Sequence, residues 1–160
     1  MDRKSILLQY WQLAAESEGW YPPYADALNG VDASLASWKP EGNAANTIWE
    51  TVTHIIYFKE RLLRRIQGLP DLEIGGNDDT FVVKGSDEAD WQEAVAKLFA
   101  VHRELYRQLE GMEETDLDMP RDRPIGVQFL DLIVHDAYHT GQIILIRKLK
   151  GAWPAHRSFL

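Results

Sequence analysis

Two of the five histidines stand four residues apart, in His135-Asp136-Ala137-Tyr138-His139. On a helix that spacing puts both imidazoles on one face, about 40° apart around the axis. Two rings so placed can share one metal ion. Leu132, Ile146 and Leu149 fall near His135 on the same helical wheel, so the pair is expected to point inward. Gln128, Asp131 and Gln142 share that face. Two histidines, an acid and two amides among leucines are costly to bury unless something polar lies there. A metal ion would satisfy them, and so would a closed network of buried hydrogen bonds.

A third ligand has to come from another segment, and two histidines compete for the place. His54 lies at the edge of the apolar stripe Ile48, Val52 and Ile55, beside Thr51 and Phe58. That position also suits a rim histidine. His102 lies squarely in the stripe Trp91, Val95, Leu98, Leu105 and Leu109. A packed, neutral imidazole suits that position, with His102 as the substitute ligand should His54 fail. His156, in the C-terminal tail, is given no role. Asp131, one turn before His135, could accept the free N–H of a metal-bound imidazole or serve as a base. A solvent-facing acid fits Asp131 equally well. Gln142 could orient His139 or bind substrate, and Tyr138 could donate a hydrogen bond from a pocket wall.

Positioning such a face requires long helices, and the chain supplies four segments of helical periodicity. They run from about Arg3 to Glu18, from Thr47 to Gly68, from Asp87 to Met112 and from Ile125 to Leu149. The second opens on Thr47-Ile48-Trp49-Glu50, a capping-box pattern, and ends before Gly68 and Pro70. A short helix is expected over Tyr24–Leu28, and a short strand is a possibility at Phe81-Val82-Val83. The expected fold is therefore all-α, a four-helix bundle forming one domain over 1–160. Connections of more than ten residues on either side of the third helix leave room for crossovers.

Composition narrows the functional classes. Of 160 residues, 45% are hydrophobic and 26% charged, as in an ordinary globule. Lys and Arg number 17 against 25 Asp and Glu, a net charge of −8 that disfavours nucleic acid as a partner. The basic groups Arg61, Arg64, Arg65 and Arg147, Lys148, Lys150 read as solvated helix faces. No cysteine is present, which removes thiol nucleophiles, disulfides and cysteine zinc sites. Gln9 and Gln12 interrupt the apolar residues near the N-terminus, so neither a leader nor a membrane span is expected, and the expected location is the cytoplasm.

His135-Asp136-Ala137-Tyr138-His139-Thr140-Gly141-Gln142-Ile143, with Asn46-Thr47-Ile48-Trp49-Glu50 and His54 upstream, resembles the DinB/YfiT-like proteins. Trp20-Tyr21-Pro22-Pro23, Ala27-Leu28 and Trp38-Lys39-Pro40 extend the resemblance over essentially the whole chain. It implies a four-helix bundle of less usual connectivity and a metal-binding triad, one histidine from the second long helix and two from the last. By that resemblance the ligands are His54, His135 and His139, and the choice falls on His54 over His102.

Three imidazoles leave a divalent ion with open coordination positions, a catalytic pattern. Zinc or nickel suits such ligands best. The resemblance implies metal-dependent chemistry on a small molecule, of thiol S-transferase or hydrolase type, with a low-molecular-weight thiol as partner. The alternative is a non-catalytic, metal-bound module acting in stress-related binding. Opposite His135 lie Leu130, Ile133, Ala137 and Ile144, so the last helix is apolar on two faces, and Ala137 with Gly141 permits close helix approach. With the dimers frequent among the resembled proteins, this predicts a two-fold homodimer. Cover by the first helix or a loop would account for the second face equally.

Overall fold

A computed structural model describes residues 1–42 and 44–155; His156 lies outside the described residues. The chain forms α1 (Arg3–Ala15), α2 (Tyr24–Leu28), α3 (Ala33–Ala36), α4 (Ile48–Ile66), α5 (Glu88–Gly111) and α6 (Ile125–Leu149). Two 3-10 turns, Asn77–Phe81 and Glu114–Asp118, interrupt the connections, and no strand occurs among the described residues. At Phe81-Val82-Val83, the stretch considered for a strand, Phe81 instead ends the first of these turns, and Val82 and Val83 follow it without regular structure. Thr80 Oγ1 donates to the Asn77 carbonyl at 2.6 Å there, a local bond that competes with extended pairing.

The helix ends follow local chemistry. Asp2, Asp32, Thr47 and Asp87 each cap a helix through a side-chain oxygen. At α4 the capping box is complete: Thr47 Oγ1 accepts from the Glu50 N–H at 3.0 Å, and Glu50 Oε2 accepts from the Thr47 N–H at 2.7 Å. Gly68 ends α4 with φ at 69°, the left-handed conformation that glycine enters without steric penalty.

The four long helices make a bundle in which α4 packs between α5 and α6, and α1 packs between the same two. Thus α1 and α4 face each other diagonally, as do α5 and α6. The segment from α1 to α4, carrying α2 and α3, and the segment from α5 to α6 both cross the bundle. Of the two long linkers flanking α5, the one that follows it is therefore a crossover, whereas the one that precedes it joins the neighbours α4 and α5; the other crossover is the α2–α3 segment.

Two apolar clusters fill the interior. One gathers Trp49, Val52 and Ile55 of α4 with Trp91, Leu98, Ile143 and the α2–α3 segment. The other gathers Leu7, Trp11, Leu62, Leu105, Leu109, Phe129 and Leu132. Between them lies a buried polar node. Lys59 and Asp136 are both fully buried and pair at 2.6 Å. The Lys59 ammonium also lies 3.3 Å from His102 Nδ1 and 4.1 Å above the Trp11 ring. Trp11 stacks on His102 at 4.6 Å and donates its indole N–H to the His102 carbonyl at 3.1 Å. One residue from each long helix therefore meets at this node, which fixes how α4 and α6 sit against each other.

His102 is the packed imidazole that its stripe position suited: burial, with Lys59 beside it, pushes its pKa down to about 2. Two basic groups depart from the expectation of solvated faces. Arg147 is buried, and its guanidinium donates to the Asp26 and Ala27 carbonyls near the C-terminal end of α2. Arg61 and Arg65 both bind Asp71, at 3.1 and 2.6 Å.

Candidate metal centre

α4 delivers His54 and α6 delivers His135 and His139 to one point. The His135 Nε2 atom lies 3.0 Å from His54 Nε2 and 3.1 Å from His139 Nε2. All three ligand atoms lie within 4.8 Å of one another. Nitrogens bound to one ion at about 2.0–2.1 Å stand about 3–3.4 Å apart, so the observed spacing fits a shared cation. His54 is not at the rim: it is 5% exposed, because the 3-10 turn over Asn77–Phe81 closes on it. The Phe81 ring stacks on the His54 imidazole at 4.0 Å.

The hydrogen bonds fix which nitrogens face inward. Thr80 has spent its proton on the Asn77 carbonyl, so its Oγ1, 2.6 Å from His54 Nδ1, must accept from that ring. His54 therefore carries its proton on Nδ1 and a bare lone pair on Nε2. His139 matches it, with Nδ1 donating to Gln142 Oε1 at 2.6 Å. Two bare lone pairs thus converge on His135 Nε2. A single N–H on His135 satisfies one of them at a time, whereas a cation at the point of convergence satisfies all three rings.

Charge agrees with this geometry. Burial, reinforced by the neighbouring imidazoles, pushes His54 down to about 3, and burial with His139 beside it pushes His135 down to about 4. His139 is also lowered by burial, against the opposing bond to Gln142. All three rings are neutral at pH 7, the state a metal requires.

A family model for the DinB superfamily matches residues 23–143. The chain belongs to the DinB superfamily. No curated protein and no solved structure matches it. In this DinB-superfamily chain the matched span includes all three histidines and the turn that covers His54.

The remaining expectations divide. Gln142 orients His139, one of the roles open to it. Asp131 is exposed, and His135 Nδ1 is buried without a partner, so Asp131 does not make the orienting bond to His135. Leu149, placed inward by the wheel, is 61% exposed. Tyr138 is mostly exposed and meets His139 edge-on at 5.0 Å. The cleft beside His135, about 190 Å³, is walled by Phe58, Leu62, Leu132 and several arginines, without the tryptophans and tyrosines that a more aromatic pocket would show. A larger cleft of about 460 Å³ lies between α4, α5 and the segment after α4; Thr80 is in its wall, but none of the three histidines is.

Thr80, Lys59 and Asp136 escaped the sequence reading. Lys59 had a signal: it occupies the gap in the stripe Ile48, Val52, Ile55, Leu62, Ile66, a charged residue where the period demands an apolar one. Thr80 had none, because its role depends on how a long connection folds back.

Proposed function

We propose that this DinB-superfamily protein is a metal-dependent cytoplasmic enzyme acting on a small molecule, with His54, His135 and His139 as the ligands of one zinc or nickel ion. The observation that carries this reading is the convergence of three neutral Nε2 atoms while two of the rings spend their Nδ1 protons on Thr80 and Gln142. A bound divalent ion would supply a Lewis acid that holds a thiolate or a hydroxide at neutral pH.

The chain's own groups do the rest. Thr80 and Gln142 hold two rings in the ligating tautomer. Asp131 borders the cleft in whose wall His135 lies, where it can take the proton of an incoming thiol or water. Phe58 and Leu132 narrow the same cleft and limit water. The reaction class that suits this arrangement is thiol S-transfer, with hydrolysis as the variant in which water replaces the thiol. Protein loaded with zinc or nickel is expected to catalyse addition of low-molecular-weight thiols to small electrophiles, and a chelator should stop it. Metal binding without turnover across such a screen would instead assign the non-catalytic binding role.

Assembly is a second part of the proposal, on a corrected surface. Ile133 and Ile144, expected at the dimer face, are buried within their own chain. The exposed apolar stripe of α6 is instead Val127, Leu130, Val134, Tyr138 and Leu145, each about half exposed or more. Gly141 adds open space in the middle of it. A two-fold axis would set this uncharged stripe against its own copy. Sedimentation at micromolar concentration should give twice the chain mass, and Val134→Lys should give the chain mass. A monomeric parent protein would remove the dimer.

A further inference from the structure

We infer that the cleft next to the histidines is an anion subsite, which selects substrates carrying a carboxylate a few bonds from the group presented to the metal. This rests on the metal-centre reading above and adds the substrate class.

The cleft holds about 190 Å³, room for a short chain and a small anionic group, and its wall includes His135 together with Arg61, Arg65 and Arg123. Three guanidiniums beside one candidate metal centre are unusual in a chain with a net charge of −8. Two acids offset part of that charge: Asp131 in the wall and Asp71 on the outer side. Asp71 engages Arg61 only at Nε, at 3.1 Å, and Arg65 at Nε and one terminal nitrogen. The other terminal nitrogen of Arg65 donates to Gln128 Oε1 at 3.0 Å, and Gln128 Nε2 donates to the Arg123 carbonyl at 2.8 Å. Gln128 itself is 5% exposed, so this chain of bonds is set in place before any ligand arrives.

Asp71, Gln128 and the Arg123 backbone thus fix the arginines, while donors remain to spare. Among the described residues, no hydrogen bond engages the terminal nitrogens of Arg61 or the guanidinium of Arg123. Planar guanidinium donors match a carboxylate in a paired geometry that an ammonium lacks. Asp71 already demonstrates the match: hydrogen bonds from Arg65 and Arg61 hold its carboxyl down to about 2. A substrate whose reacting atom sits at the histidines can therefore place its carboxylate against Arg61 and Arg123.

The test uses protein loaded with cobalt(II), whose thiolate charge-transfer band reports thiol binding without turnover. Titrations at low ionic strength compare 3-mercaptopropionate with its methyl ester. The acid is expected to bind about tenfold more tightly than the ester. That ratio should fall close to one in Arg61→Gln combined with Arg123→Gln, with helical content by circular dichroism confirming that the variant is folded. Equal affinities in the parent protein, or a ratio that survives the double substitution, would overturn the subsite and leave the metal centre standing. Failure of cobalt to bind would overturn the metal-centre reading and the subsite with it.

Discussion

Asp136→Ala is expected to destabilise the protein by about 3–5 kcal/mol, the range found when one member of a buried ion pair is removed. Both partners are fully buried. Burial pushes Lys59 down and Asp136 up, while their mutual attraction opposes both shifts. The pair holds because the ammonium is shared among Asp136, His102 and the Trp11 face. Deleting the carboxylate leaves an ammonium without its counter-charge in a dry core, or forces it neutral. Lys59→Ala should cost a similar amount through the stranded carboxylate. Lys59→Met combined with Asp136→Leu should cost less than either single change, since neither charge is then stranded. Urea denaturation of the three variants decides the point. Single-variant losses under about 1 kcal/mol, the range of exposed pairs, would show that the node does not join the helices as described.

His135→Ala is expected to remove metal binding altogether while the helices persist. His135 is the ring that both other Nε2 atoms approach, so its loss leaves two ligands whose common neighbour is gone. Its side chain is only half-buried and belongs to neither apolar cluster, which is why the fold should tolerate the change. Thr80→Val should act more gently. It keeps the shape over His54 but takes away the acceptor for Nδ1, and losses of about 10–100-fold in affinity are typical when such a supporting bond goes. Equilibrium dialysis against zinc gives both values. Undiminished zinc binding in His135→Ala would remove the triad as the site.

The long helices were legible because their apolar periods persist for many turns despite single polar interruptions, and the Thr47–Glu50 cap announced the start of α4. The pair His135 and His139 was legible because both lie on one helix, where spacing alone fixes their relation. His54 was not legible from its own helix. Its wheel position is peripheral, and it becomes buried only because the Asn77–Phe81 turn folds over it. That contact joins residues 26 apart through a connection whose composition gives no period to read. The pairing of Lys59 with Asp136 was hidden for a related reason. Each charge is visible as an interruption of a stripe, but which charge meets which depends on the crossing of α4 and α6. The dimer face failed through the same ambiguity: two apolar faces on one helix are evident in the sequence, while the bundle decides which is covered.

The most direct measurement is the nitrogen-15 spectrum of the histidine side chains as zinc is added to metal-free protein. The Nε2 resonances of His54, His135 and His139 should move together to metal-bound positions at one zinc per chain. Nδ1 of His54 and His139 should stay protonated throughout, and His102 should not respond. Saturation without movement of all three Nε2 signals, or a response at His102 in place of His54, would contradict a metal centre built on these three rings.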